Sequence, residues 1–388
     1  MLSDRRCDLL GYTRSVRLEL PRSYDLPELS AKINRASVNA YEIPTETPES
    51  DGTLEWDATT LVVVQLHCGK TCGIGYTYAD VATAKLIESK LLKCVRDRNV
   101  TDIGTLWASM VSSIRNLGRP GIASMAISAV DNALWDLNAR LIERPLYSML
   151  GATRSSVPIY GSGGFTSYTV PELQAQLAGW VADGIPRVKM KIGRDPAADV
   201  DRVRAARAAI GNDAELFVDA NGAYTVKEAL EFAQLFLEFD VSWFEEPVYH
   251  RDVRGLRFVR DHAPPPIEVS AGEYGYDPFD FERLVHAVDV VQADVTRCEG
   301  VTGFLLVDGL CAANNVPLST HCAPAITAHA AAAAQTLRHM EYFFDHVRIE
   351  RMLFDGLPEV RDGALQLDPS AHGNGLTFKH KDAERYAI

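Results

Sequence analysis

No apolar run in the 388 residues approaches the roughly 20 needed to cross a bilayer, so a membrane-spanning protein is not expected. No cluster of Lys and Arg offsets the formal net charge of −13, which argues against nucleic acid or an anionic membrane surface as a partner. The seven cysteines are odd in number and follow no repeated spacing, and no secretory leader is recognisable, so a reducing cytoplasm is expected rather than a disulfide framework. Cys68 and Cys72 beside His67 lack a second ligand pair at finger-like spacing, and Gly69-Lys70 between them reads as a hairpin turn, so no zinc site is expected there. Small soluble molecules remain as the expected ligands.

With 47% hydrophobic residues, the chain can bury a large core in two domains, or in one barrel with a cap. Residues 1–31 carry scattered charge without a period and read as an N-terminal extension. Alternation over Ile33 to Ile43, Thr59 to His67 and Thr71 to Tyr78 predicts an antiparallel meander. The acidic, Pro- and Gly-bearing stretch Thr45 to Asp57, which contains Trp56, reads either as a mobile loop over a site or as a plain solvated turn. Helical periodicity follows in Val81 to Val95, Ile103 to Leu117 and Gly121 to Leu141, so residues 32–150 are expected to form an α+β capping domain.

From Gly151 the pattern alternates strand and helix. Strand-like segments occur at Val157 to Tyr160, Arg187 to Ile192, Leu216 to Ala220, Val241 to Glu245, Ile267 to Ser270, Val290 to Ala293, Val316 to Thr320 and Glu341 to Phe344. Helical stretches, including Val170 to Ala182 and Thr327 to Arg338, fill the gaps. Eight such units predict an α/β fold, a (β/α)8-type, TIM-like barrel over residues 151–355. Residues 356–388 are expected to return to the capping domain and complete it.

The chemistry gathers at strand ends. Asp219, Glu245 and Glu273 close three consecutive predicted strands and would converge at the barrel mouth; three hard oxygen ligands suit Mg²⁺ better than Zn²⁺. The alternative is that such acids cap the following helices. Lys189 and Lys191, two apart on one strand, share its inward face, where mutual repulsion and burial are expected to lower their pKa values and make a general base. Asp294 and His321 end the next strands along; a carboxylate beside an imidazole fixes its tautomer and strengthens it as a base, although a lone His there is often structural. Lys191 and His321 would then face each other with the metal between them, an arrangement suited to removing the α-proton of a metal-held carboxylate. Glu341 could donate a hydrogen bond to the developing oxyanion if burial keeps it protonated.

These residues resemble the enolase superfamily, mandelate racemase subgroup, over nearly the whole chain. The carriers are Lys189-Met190-Lys191, Asp219-Ala220-Asn221-Gly222, Trp243-Phe244-Glu245-Glu246-Pro247, Ala271-Gly272-Glu273, Gln292-Ala293-Asp294 and Ser319-Thr320-His321. Ala126 to Leu150 is also similar to the family's last capping-domain helix. The resemblance implies Mg²⁺ on Asp219, Glu245 and Glu273, Lys191 as one base and the His321–Asp294 dyad as the other. It further implies that Lys189 tunes Lys191 and touches the substrate carboxylate, that Glu341 is the electrophilic acid, and that the protein is a homo-oligomer. Asn221, Tyr160 and Trp56 are the substrate-binding candidates. Cys298-Glu299-Gly300 stands where the subgroup commonly has paired glycines, and Cys322 directly follows the dyad His.

The subgroup implies either racemases and epimerases of 2-hydroxy acids or dehydratases of acid sugars. Glu46, Glu49, Asp51, Glu55 and Asp57 are acceptors suited to a polyol, which favours a hydro-lyase yielding a 2-keto-3-deoxy sugar acid. A scaffold that binds metal and ligand without turnover is the reading from another class, and opposed bases count against it.

Overall fold

Side-chain alternation sets up the first sheet. A computed structural model describes residues 31–388; the segment read as an N-terminal extension lies outside the described residues except for Ala31, which is buried. Strand β1 (Arg35–Ser50) pairs antiparallel with β2 (Glu55–Cys68), and β2 with β3 (Thr71–Tyr78). Val62, Val64 and Leu66 face the helices of this domain, while Leu61 and Val63 face apolar residues from the end of the chain. Residues 45–57, read from sequence as a loop, are mostly strand. The register slips between Pro44 and Glu49, so a bulge absorbs the residues that cannot donate to the ladder and the hairpin runs on to Ser50.

Helices α1 (Val81–Leu86) and α2 (Leu92–Val95) flank a π-turn over Ile87–Leu91. They are followed by α3 (Ile103–Ser113), which stops short of the Leu117 expected, α4 (Ile122–Leu141) and α5 (Leu146–Met149). The apolar face of α4 lies directly on β3. Close approach there depends on Gly73 and Gly75, where an added Cβ would stand 2.5 Å from the Ala133 carbonyl and 2.2 Å from that of Ala129 respectively.

The remaining elements alternate: β4 (Ser156–Gly163), α6 (Val170–Ala182), β5 (Arg187–Lys191), α7 (Pro196–Ile210), β6 (Glu215–Asp219), α8 (Val226–Phe236), β7 (Val241–Glu245), α9 (Val253–His262), β8 (Glu268–Ala271), α10 (Pro278–Leu284), β9 (Val290–Ala293), α11 (Gly300–Asn314), β10 (Leu318–Thr320), α12 (Pro324–Ala333), β11 (Leu337–Phe343) and α13 (Phe344–Leu353). Strands β4 to β11 pair in parallel, and β11 pairs back to β4, so the barrel closes. Thr169 and Thr225 start α6 and α8 with reciprocal capping boxes to Glu172 and Glu228. Val188 and Met190 point outward into the helix layer, which leaves Lys189 and Lys191 facing in. Tyr160, Phe217, Trp243 and Val290 fill the interior, with Phe217 stacked on Trp243 at 5.3 Å.

Two expectations need correction. The helix expected to reach Arg338 ends at Ala333, because the Asp308 carboxylate accepts the Gln335 and Thr336 N–H groups and β11 already begins at Leu337. The C-terminal segment divides rather than packing wholly on the cap. Of β12 (Phe354–Asp355), β13 (Glu359–Arg361), β14 (Ala364–Gln366), β15 (Thr377–Phe378) and α14 (His380–Ala383), strand β14 adds antiparallel to β4 of the barrel. From Gly373 on the chain returns to the cap: the Leu146 N–H donates to the Gly373 carbonyl, Asn374 donates to Asp136 and to the Ile74 carbonyl, Phe378 packs on Tyr41 and the Ile388 N–H donates to the Ala40 carbonyl.

Gly75→Ala should destabilise the protein by about 1–3 kcal/mol through overpacking between β3 and α4. Gly104→Ala, where nothing lies within 4 Å of the added Cβ, should be neutral or slightly stabilising because alanine is the better helix former. Guanidinium unfolding of the two variants checks this, and equal midpoints would refute the packing argument.

Candidate active site

Register brings the strand-end charges level. Lys191 on β5 is beside Asp219 on β6, and Asp219 is beside Glu245 on β7. Glu273 reaches the same place from beyond β8 through Gly272, whose φ of +139° and 2.1 Å clearance to the Gln292 carbonyl suit glycine alone. Carboxylate oxygens of Asp219, Glu245 and Glu273 lie within 4.8 Å of one another, all buried. The donor set is entirely hard oxygen, and among the described residues buried Glu273 Oε2 meets no hydrogen-bond donor other than the His321 imidazole; these residues fit a divalent cation of the Mg²⁺ type.

Lys189, with no exposed surface, lies 2.6 Å from Glu245, 2.8 Å from Glu341 and 3.3 Å from Asp219. Lys191 lies 2.6 Å from Asp219. Burial alone would pull both ammonium groups down, as expected from the sequence, but the carboxylates reverse it: Glu245 and Glu341 for Lys189 and Asp219 for Lys191 leave both raised. The expectation of a protonated Glu341 is likewise overturned. Burial favours its neutral form, yet Lys189 and His321 hold it well below the usual carboxylate range. It accepts a hydrogen bond from the Cys322 N–H at 2.8 Å. Burial and Asp219 push Glu245 up, against the opposing pull of Lys189.

His321 Nδ1 donates to Asp294 Oδ2 at 2.7 Å, and the other oxygen of Asp294 accepts from the Thr296 N–H and hydroxyl. The imidazole therefore presents Nε2 to the mouth, 3.2 Å from Glu273 Oε2. Burial disfavours the imidazolium, but Cys322, Glu273 and Glu341 around it raise His321 well above its ordinary value. The carboxylate triad thus lies between the Lys191 ammonium, on Asp219, and the His321 imidazole, on Glu273.

The three residues read as substrate contacts separate. Asn221, at φ +46°, donates its N–H to Asp219, and its side-chain oxygen is buried without a partner among the described residues. Trp56 sets an edge on Phe165 at 5.7 Å, in an apolar wall with Cys322 and Phe343. Tyr160 is not at the mouth: it is wholly buried in the barrel interior, its hydroxyl accepting from Gln292, because inward residues this low on β4 meet other strands rather than solvent. Three of the five loop acids are also committed elsewhere. Glu49 accepts from Trp56 Nε1, Asp51 from the Thr53 and Leu54 N–H groups, and Glu55 from Arg194, so they are not free acceptors for a polyol.

Several residues at the site carried no assigned role in the sequence. Gln292 donates to Glu245, and its polarity inside Val290-Val291-Gln292-Ala293 was the available signal. Arg297 spans Asp294 and Glu273 at 3.6 and 3.7 Å. Glu246 is buried at φ +36° with neither oxygen partnered among the described residues, and burial and Glu273 push it well up. It lines a cavity of about 280 Å³ with His250, Arg251 and Tyr274.

A capped barrel with acids and bases at the carboxyl ends of its strands defines an enolase-type protein. Residues 39–151 match the mandelate racemase / muconate lactonizing enzyme N-terminal domain and residues 172–383 the enolase C-terminal domain-like family. The chain belongs to this family. It is 34% identical over 370 residues to a 3,6-anhydro-alpha-L-galactonate cycloisomerase of Streptomyces coelicolor, covering 92% of this chain and 99% of that one. It is 30% identical over 320 residues to the L-talarate/galactarate dehydratase of Salmonella typhimurium, covering 80% and 78%. The crystal structure of that dehydratase liganded with Mg and L-lyxarohydroxamate superposes with a TM-score of 0.85, at 25% identity over 99% and 98% of the two chains. A mandelate racemase/muconate lactonizing enzyme-like protein from Rubrobacter xylanophilus superposes at 0.91, with 51% identity over 92% and 100%.

Burial and the nearby Asp345 push Glu49 up to about 8. Between its ordinary value of 4.5 and 8 the unfolded chain releases this proton while the folded chain keeps it, so this residue lowers stability as pH rises and the loss levels off above 8. Glu49→Gln keeps an acceptor for Trp56 and should flatten the fall in Tm between pH 5 and 8; an unchanged slope in calorimetry would contradict the assignment.

Proposed function

We propose that this protein removes the α-proton of a sugar-acid carboxylate and expels the β-hydroxyl as water, giving a 2-keto-3-deoxy acid. The observation that carries this reading is a lysine and an aspartate-fixed imidazole on opposite sides of one buried carboxylate triad. Asp219, Glu245 and Glu273 would hold Mg²⁺, which supplies positive charge toward the substrate carboxylate. Lys191 is assigned the base on one face. The Asp219 carboxylate that holds its proton belongs to that same triad, so the basicity of Lys191 depends on what else engages Asp219. His321, fixed by Asp294 and held protonated by its neighbours, is suited to deliver a proton to the departing hydroxyl from Nε2. Lys189 is assigned a positioning charge, and Glu341, being ionised, holds Lys189 and the turn after His321 rather than acting as an acid. Trp56 and Asn221 are assigned to substrate contact on the two sides of the mouth.

The choice of dehydration no longer rests on the loop acids. It is supported by the likeness to the Salmonella dehydratase. The 34% identity to a cycloisomerase over nearly the full length favours a second reading, in which the same proton abstraction ends in an isomer and no water leaves.

Proton NMR in D₂O with Mg²⁺ and a panel of mono- and diacid sugars, sugar lactones and simple 2-hydroxy acids tests both. A new 3-deoxy methylene signal with a product lighter by one water is the expected result; a product of unchanged mass establishes the isomerase reading, and α-proton loss alone a racemase or epimerase. Lys191→Ala should slow exchange of the α-proton of one configuration by about 10²–10⁴-fold while leaving Mg²⁺ binding intact. Undiminished exchange would remove Lys191 from its role.

A further inference from the structure

His321 Nε2 faces more than the carboxylate triad. Cys322 Sγ stands 3.2 Å from it, Glu273 Oε2 3.2 Å and Glu341 Oε2 3.8 Å. All four residues are at least nine-tenths buried. Ligand atoms of His321, Cys322 and Glu341 lie within 4.8 Å of one another. The all-oxygen set of Asp219, Glu245 and Glu273 adjoins them but offers different chemistry.

The backbone places the thiol there. Neighbouring residues on an extended strand point to opposite faces, but Cys322 and Ala323 both take left-handed conformations, at φ +50° and +44°. This double turn folds the Cys322 side chain back against the preceding imidazole. Buried groups hold the turn: Cys322 N–H donates to Glu341, Ala323 N–H to His346 Nδ1 at 3.2 Å, and Ala325 N–H to Glu350. Glu273 Oε2, also buried, lies against the same imidazole nitrogen.

We propose that His321 Nε2, Cys322 Sγ and Glu341 Oε2 form a second metal site with three protein ligands, for zinc or another borderline-soft transition-metal ion. Zinc takes an imidazole nitrogen at about 2.0–2.1 Å and a thiolate at about 2.3 Å in tetrahedral geometry, which places the two donors roughly 3.5 Å apart. The observed 3.2 Å needs only a small adjustment. Binding exchanges the Cys322 S–H and the His321 Nε2–H bonds for bonds to the metal, both protons go to solvent, and no oxidation state changes. Magnesium disfavours sulfur and imidazole, so the two ions sort by donor type. An ion on Nε2 stops that nitrogen from exchanging protons, so its occupancy inhibits turnover.

The test is titration of the full-length, Mg²⁺-saturated protein with Co²⁺, followed by thiolate-to-metal charge-transfer absorption, with Zn²⁺ binding measured by equilibrium dialysis. One equivalent per chain with a thiolate band is expected. Cys322→Ser should abolish that band and weaken Zn²⁺ binding by at least about 100-fold, consistent with loss of a first-choice soft ligand. Cys298→Ser, which removes a buried thiol outside the cluster, should leave both unchanged. His321→Asn provides a second variant that spares the thiol and should weaken binding comparably. Co²⁺ uptake without a thiolate band, or a band that survives Cys322→Ser, overturns the site.

Discussion

Charge buried at the barrel mouth must be neutralised locally, and this constraint organises the molecule. Lys189 has no contact with solvent, so its ammonium is tolerable only because Glu245, Glu341 and Asp219 all reach it. Those acids in turn come from three different strands. Removing any one would leave a buried charge underpaired, so strand order, register and ring closure are tied to the composition of the site. The interior beneath is packed by Tyr160, Phe217, Trp243 and Val290, which keeps water from screening the cluster from below.

The cap contributes to the same cluster indirectly. Asp131 on α4 accepts from the Thr302 N–H and hydroxyl, Asn132 from the Val301 N–H and Ser128 from the Gly300 N–H, so one helix of the cap holds the first turn of α11, where the loop that follows Asp294 ends. Glu299 in that loop takes φ +69°, a conformation for which glycine is the usual choice, and Arg119 of the cap grips its carboxylate with two hydrogen bonds of 2.5 Å. The departure from paired glycines is therefore compensated by an ion pair across the two layers. Thr77 on β3 also donates to the Thr296 carbonyl, two residues past Asp294. Dyad geometry depends on cap and barrel together.

Much of the fold was legible because buried parallel strands read as short apolar runs and several of them stop at or just before a charge. Val241–Glu245 and Val290–Ala293 are found at the bounds read from sequence, and the meeting of Asp219, Glu245 and Glu273 follows from strand-end placement in a closed ring. Where local signals competed, the reading failed. The alanine-rich stretch suggested a helix to Arg338, but a distant Asp308 claims the N–H groups that would have continued it. Pro, Glu and Asp between Thr45 and Asp57 suggested an open loop, whereas Glu49 and Asp51 are consumed by hydrogen bonds within the hairpin.

Sequence by itself determined the alternating architecture, the inward pairing of Lys189 with Lys191 and the acids at successive strand ends, because all three depend only on periodicity along the chain. Tertiary structure decided the charge states. A lysine pair viewed alone should repel and lose protons, and a buried Glu341 viewed alone should keep its own. Once strands distant in sequence lie side by side, carboxylates reverse the first and Lys189 the second, since coulombic terms depend on separation in space. The double left-handed turn at Cys322 and Ala323 was equally beyond sequence: neither residue favours that backbone, and only the buried partners Glu341, His346 and Glu350 sustain it.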